Sequence, residues 1–489
     1  MPPKPKPKPN DKEVQVNNPA SDVANFPRIT QSETSLARFK DFILYGFNDL
    51  NNPNNFSGFA FSTDLGKHWT DGSIPTIPGQ SNGGDPTIAV DKKGIFYYGQ
   101  IHDDQKGITV STGTINPNKN ITMNQPQFVG TVDVDGLRTD KPWVTVGPDK
   151  NNPGKEALYV VWIDLIADPA RLGQRIKFSK WNTGETLTPI IQNETIPAGT
   201  DEFFGTFPVV DSHGNIYVFY ENYLPNSFTV GGTPNRSIHM VKSTNGGVSF
   251  ESPVQVSKGL FAAAGNSNST ACGNRVVISV TPQRVIRMFE IPQATIGPDG
   301  TIYVVWNAGT VINNKTFINV FLAYSKDEGA TWTQVNVTQD MSSFAFFPSV
   351  AANSKGAHIQ YNRFNDPTGI GGVGDGTFGI FMKSFSVSNG LSQESVISNP
   401  SSPVPITTPS GCYMGDYNQV ITGPGDSLLH AWGDNRNTLN GQNNPDVFFK
   451  KNRLQRRNHN LVIPLINPIF VCFYYLASWM IQTNPTLTP

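Results

Sequence analysis

Three octapeptides constrain this chain more tightly than any other feature. Ser62-Thr63-Asp64-Leu65-Gly66-Lys67-His68-Trp69, Ser243-Thr244-Asn245-Gly246-Gly247-Val248-Ser249-Phe250 and Ser325-Lys326-Asp327-Glu328-Gly329-Ala330-Thr331-Trp332 share one spacing of Ser, Asp or Asn, Gly and an aromatic. Ser and Asp or Asn at the first and third positions can bond nearby backbone amides and hold a tight turn. The Gly accepts a positive φ that other residues resist. The aromatic then folds back as the next strand begins and is expected to close the apolar side of a hairpin. Three copies, each preceded by an apolar run of strand length, predict a β repeat protein.

A longer phrase recurs as well: a strand opened by Pro or an acidic residue, a turn, then a strand ending near an aromatic. Its copies are 33–46, 85–99, 140–162, 206–220, 291–306, 347–361 and 416–432. Runs such as Thr301-Ile302-Tyr303-Val304-Val305-Trp306 are rich in β-branched and aromatic residues, as strands are. With 45 Gly, 38 Pro and only 15% charged residues, the composition suits many short strands rather than long helices. The net charge of -1 offers no bulk attraction for nucleic acid.

The octapeptides resemble the Asp box, or BNR repeat, of sialidase-like β-propellers, where the box lies on the turn between the third and fourth strands of a blade and is structural. The resemblance implies an all-β propeller of four-stranded antiparallel blades. Seven copies favour seven blades, with six, the sialidase number, as the alternative. The propeller is expected over residues 23–451, with Val23–Ile29 supplying the strand that closes the ring. Residues 1–22 form a Pro/Lys-rich leader, expected to be disordered and without the apolar segment of a signal peptide. Residues 452–489 form a tail whose apolar stretch 461–481 is either a membrane anchor or a non-native extension; a membrane partner is expected only in the first case. Cys272, Cys412 and Cys472 are too few for a disulfide framework.

If each copy is the first two strands of a blade, the starts of first strands share a face with the ends of second strands. That face gathers Asp85, Asp140, Glu290 and Asp416 with Asp49, Glu221, Asn307, Arg363 and Arg436, and the octapeptides fall on the opposite face. Sialidases grip a sugar carboxylate with three arginines and use a Tyr assisted by a Glu, with an Asp as acid. Carried over residue by residue, this makes Glu221 the assisting Glu, Asp49 the acid and Tyr417 (or Tyr413) the nucleophile. Arg28, in Phe26-Pro27-Arg28-Ile29-Thr30, Arg236, Arg363 and Arg436 become the substrate-binding arginines. The resemblance thus implies a glycan or glycoconjugate partner, an exo-sialidase-like glycoside hydrolase, and action outside or at the surface of the cell by a monomer. No cofactor is expected, although clustered Asp and Asn oxygens leave a structural Ca²⁺ open. The reading from another class is a non-catalytic glycan- or protein-binding propeller, with Tyr220, Tyr223 and Trp432 as stacking platforms.

Overall fold

The computed structural model describes residues 12–453 apart from 28, 53–54, 103, 133–136, 167–173, 200–201, 224–234, 258–259, 262–264, 267–275, 282–283, 314, 340–342, 367–371 and 405–413. The three cysteines, Tyr413, Arg28 and the 461–481 stretch lie outside the described residues. Among the described residues, no helix is long and apolar enough to cross a membrane.

Seven antiparallel sheets follow one another along the chain, the first three strands of each lying side by side in sequence order. Blade I is built from Gln31–Phe39, Phe42–Asp49, Ser57–Ser62 and Thr70–Ser73. Blade II begins with Thr87–Val90 and Phe96–Ile101, blade III with Leu137–Pro148 and Glu156–Ile166, blade IV with Glu202–Val210 and Ile216–Tyr223. Blade V begins with Gln293–Ile296 and Ile302–Ile312, blade VI with Ala345–Asn353 and Gly356–Phe364, blade VII with Gln419–Thr422 and Ser427–Leu439. The seven repeated phrases are thus the first two strands of seven blades. A small three-stranded sheet ending in Arg284–Arg287 is inserted between blades IV and V.

The ring closes differently from the expectation. The fourth strand of blade VII is Val14–Gln15, pairing with Phe449 and Phe448, and the Val16 amide donates to the Val447 carbonyl at 2.8 Å. Residues Pro19–Asn25, assigned by sequence to the leader and the closing strand, instead form a helix, α1, capped by Asn18, whose Oδ1 accepts from the Ala20 amide. Val14 and Val16 offer the alternating pattern an outer strand needs; Pro19 has no amide hydrogen to pair in a ladder and is well placed in a first helical turn.

The octapeptides form matching turns between third and fourth strands of blades I, IV and V. Ser62, Ser243 and Ser325 Oγ accept the amides of Gly66, Gly247 and Gly329 at 2.8–2.9 Å. Asp64, Asn245 and Asp327 Oδ1 accept the amides of His68, Ser249 and Thr331. The aromatics do more than close their own hairpin, because each packs on the preceding blade. Trp69 lies 5.1 Å from Phe449, Phe250 5.1 Å from Phe178, and Trp332 5.7 Å from Phe219. The positive φ of the fifth-position glycine, Gly66, Gly247 or Gly329, lets the backbone approach that neighbour; a Cβ on Gly247 would stand 2.6 Å from the Phe178 ring.

First strands are stitched to one another around the axis. The Ser35 hydroxyl accepts the Ile88 amide, Thr87 that of Val144, Ser349 that of Val420, and Gln419 Oε1 that of Leu36. Each such acceptor replaces a ladder partner that the innermost strand, at a sheet edge, would otherwise lack.

Candidate functional site at the funnel mouth

Just before these stitching residues the chain takes an unusual step. Glu33 (φ 54°), Asp85 (54°), Lys141 (47°), Gly205 (60°) and Phe347 (50°) stand at matching places in blades I, II, III, IV and VI, all in the left-handed region. In blades I, III, IV and VI the step is a register shift between first and second strands. A non-glycine residue held there costs ~1–2 kcal/mol, so four of them mark a place the fold strains to build.

The strain brings charges to one point. Lys141 Nζ lies 2.6 Å from Asp416 Oδ2, 2.8 Å from Asp85 Oδ2 and 3.3 Å from Glu33 Oε1. Arg287, from the inserted sheet, grips Asp416 with two nitrogens, Nε donating to Oδ1 at 2.8 Å. Glu33 Oε1 accepts the Asp416 amide, and its Oε2 accepts from Asn48, whose own Oδ1 accepts the Asp85 amide at 2.7 Å. Four blades and the insertion therefore meet in one network.

Their protonation follows from competing causes. Burial would empty Lys141 of its proton, but Asp416, Asp85 and Glu33 outweigh it and hold the ammonium well above its usual range. Burial opposes ionisation of Asp416 too, yet Arg287 and then Lys141 keep it firmly ionised. Asp85, against the same penalty, is held below the usual carboxylate range by Lys141. Glu33 goes the other way: burial, then repulsion from Asp85, pushes it well above its usual range, against the pull of Lys141. Asp140, partly exposed beside Lys141, is raised to about 6 by burial and by Asp85, against the pull of Lys141.

A second cluster lies on blade IV and the start of blade V. Arg236 Nε is 3.1 Å from Glu221 Oε1 and 3.7 Å from Glu290 Oε2, all three side chains at most 4% exposed. Burial and Glu290 push Glu221 well up. The Arg236 guanidinium stacks on Tyr223 at 4.9 Å. The two clusters are joined by Arg287-Met288-Phe289-Glu290: Arg287 lies over the Phe289 ring at 5.7 Å, and Phe289 packs on Phe204 at 4.4 Å.

Among the residues expected from sequence, the structure brings Glu221 and Arg236 together. Tyr417 packs on Trp143 near the axis, and its hydroxyl donates to the Pro86 carbonyl at 2.9 Å. Asp49 is placed apart, 8% exposed, bonded to Gln31 and to the Asn51 amide. Arg363 pairs with Glu394 and stacks on Phe381 in the outer part of blade VI. Arg436 pairs with Asp434 and with Glu13 beside the closing strand. These two arginines are held by those partners and join neither the Lys141 nor the Arg236 cluster. The stacking platforms fail for a related reason: Tyr220 and Trp432 are fully buried and Tyr223 is 8% exposed, their rings serving as core.

Sequence reading missed Lys141, Glu33 and Arg287. Lys141 carried a signal, since Lys141-Pro142 falls in register with Asp85-Pro86 and Phe347-Pro348, and Glu33 opens the first repeated phrase. Arg287, in an insertion that matches no repeat, carried none.

No family model matches this chain, and no curated protein sequence does. Among solved structures, an α-L-arabinofuranosidase from Fusarium graminearum in complex with an iminosugar inhibitor aligns at 12% identity over 89% of this chain and 96% of its own, with a TM-score of 0.45. A polysaccharide lyase aligns at 9% identity over 88% and 91%, with a TM-score of 0.48. An α-L-arabinanase from Penicillium chrysogenum complexed with arabinobiose aligns at 13% identity over 74% and 92%, with a TM-score of 0.38.

Proposed function

We propose that this chain is a carbohydrate-active propeller that cleaves a glycosidic linkage at the funnel mouth. The observation that carries the reading is the divergence of two neighbouring carboxyls. Asp140 is raised to about 6 and partly exposed, while Asp85 is held ionised by Lys141. Glycoside cleavage needs one carboxyl that keeps its proton near neutrality to protonate the leaving oxygen, and one carboxylate to stabilise or attack the anomeric centre. Asp140 takes the first role and Asp85 the second; Lys141 positions Asp85, and Asp416 and Arg287 position Lys141.

The substrate we infer is a glycoside whose sugar carries no carboxylate. Among the described residues, the mouth arginines Arg236 and Arg287 already hold carboxylates of this chain, which leaves no triad of guanidinium groups for sialic acid. The test is release of aryl alcohol from a panel of neutral aryl glycosides, pentofuranosides included, with a fluorogenic sialoside alongside. Release from a neutral glycoside that is lost in Asp140→Asn supports the reading. Release from the sialoside alone overturns the substrate class, and no release from any member by folded protein removes the enzyme.

A further inference from the structure

At the end of the blades opposite the mouth, where third strands finish, a cavity of about 650 Å³ opens between blades VII and I. The third strand of blade VII, Gln442–Arg453, ends there. Alternation along a strand places Lys451 and Arg453 on the same side as Phe449. Phe449 packs on blade I: its ring meets Trp69 at 5.1 Å, and a Cβ on Gly66 would stand 2.0 Å from it. The octapeptide turn of blade I is therefore seated on this strand, and Lys67 comes with it. Lys12 arrives from the other edge, two residues ahead of Val14, which pairs with Phe449. Continued by two residues, that register sets Lys12 across from Lys451.

Four cations, Lys12, Lys67, Lys451 and Arg453, thus line one cavity with two carboxylates, Asp41 and Asp64, which leaves a net charge of +2. Asp64 is engaged by its own turn, where Oδ1 accepts the Lys67 and His68 amides and Oδ2 bonds His68 Nδ1 at 2.6 Å. Among the described residues, none of the four cations forms an ion pair. The stretches outside the described residues on either side, 1–11 and 454–489, carry Asp11 as their only acidic side chain, against Lys4, Lys6, Lys8, Arg456 and Arg457. The chain therefore brings cations to this place without matching acids. The arrangement works against the fold, because like charges set across a strand pair repel. Burial, then Arg453 and Lys67, hold the Lys451 ammonium below its usual range, against the pull of Asp41.

We propose that this cavity is a second binding site, separate from the mouth, for an organic anion carrying phosphate or sulfate ester groups. Ammonium and guanidinium groups are the donors that suit such oxyanions. An excess of two positive charges matches one phosphate monoester, which carries roughly −1.5 to −2 at neutral pH, or a pair of sulfate esters. Val14 and Leu65 add an apolar wall beside the cations, where a carbon skeleton rather than a bare inorganic ion would rest. The volume falls in the ~300–1,000 Å³ range of small-molecule sites. Its cations come from the closing segment, from blade VII and from the octapeptide turn of blade I, so an occupant relieves their repulsion and bridges the two ends of the ring.

The test is calorimetry of the full chain at neutral pH and low salt with inorganic phosphate, glucose 6-phosphate and a heparin-derived sulfated tetrasaccharide. The expected result is saturable binding of one or both organic probes, weakened by added salt. Lys451→Gln combined with Arg453→Gln removes two of the repelling charges, should fold at least as well as the parent, and should weaken binding at least fivefold. Lys67→Gln, on the exposed turn, should weaken it in the same direction and carries the test should the double variant fail to fold. Binding of glucose 6-phosphate alone assigns the phosphate ester, and binding of the tetrasaccharide alone the sulfate ester. Inorganic phosphate bound as tightly as either organic probe overturns the organic ligand. No saturable binding of any probe by folded parent protein, or binding unchanged in the variants, overturns the site.

Discussion

Lys141 Nζ stands 2.6 Å from Asp416 Oδ2, a bond that joins blade III to blade VII through side chains 7% and 0% exposed. Because Asp85 and Glu33 lean on the same ammonium, removing it strands a group of buried acids rather than one partner. Lys141→Met is expected to cost ~3–5 kcal/mol of stability, the range for breaking a buried ion pair from one side. Lys141→Met combined with Asp416→Asn should cost less than the sum of the two changes, by ~1 kcal/mol or more. Urea denaturation of the two single variants and the double decides this; additivity would mean that the pair does not act as a unit.

Asp140 sets the expected pH dependence of any activity at the mouth. As a proton donor it must be protonated, so kcat/KM should fall as pH rises through about 6. Asp140→Asn should lower kcat by ~10²–10⁴ and abolish that descending limb. A retained limb at the same pH in the variant would assign the proton to another group.

The blades were legible in the sequence because apolar alternation and turn chemistry repeat locally, so each copy reports its own hairpin. The site was legible only in part. Glu221 and Arg236 face each other within one blade, and their spacing showed it. The Lys141 network depends on a backbone step that throws the side chain to the axis, where residues more than a hundred positions apart meet. The closing strand was misplaced for a similar reason: Val14–Gln15 is two residues long, and its pairing with Phe448 and Phe449 spans nearly the whole chain.

The octapeptide turns make a prediction about blade-to-blade stability. Trp69 packs on Phe449 of blade VII at 5.1 Å, across the seam between blades VII and I, and on Tyr45 of its own blade at 5.7 Å. Trp69→Ala should cost ~2–4 kcal/mol, somewhat below the loss for a fully buried Trp because the ring is partly exposed. Ser62→Ala, which leaves the Gly66 amide without its acceptor, should cost ~1–2 kcal/mol. Equal losses for Trp69→Ala and for an exposed control would show that the aromatic does not staple the blades. Thermal and urea melts read both.

Two buried histidines should govern acid stability. Burial lowers His430 to about 3 and His358 to about 4, each with a nearby lysine, Lys450 or Lys355, adding to the shift. His430 Nδ1 bonds Gln360 Oε1 at 2.7 Å, while its Nε2 is buried without a partner, so a second proton there would have no acceptor. His358 is held between Ser384 and Asn353. Unfolded, both would titrate near 6.5, so between that pH and the folded values the unfolded chain binds more protons. Their contribution is complete above about 6.5 and is lost as pH falls towards 4 and 3. The two histidines together should steepen the fall of stability by nearly ~2 protons, about 2.5 kcal/mol per pH unit, around pH 5, and by less towards pH 6 and pH 4. His430→Gln should make that slope shallower by nearly one proton. Urea denaturation at half-unit steps from pH 7 to 4.5 measures it, and an unchanged slope in the variant would rule out His430 as the group that titrates.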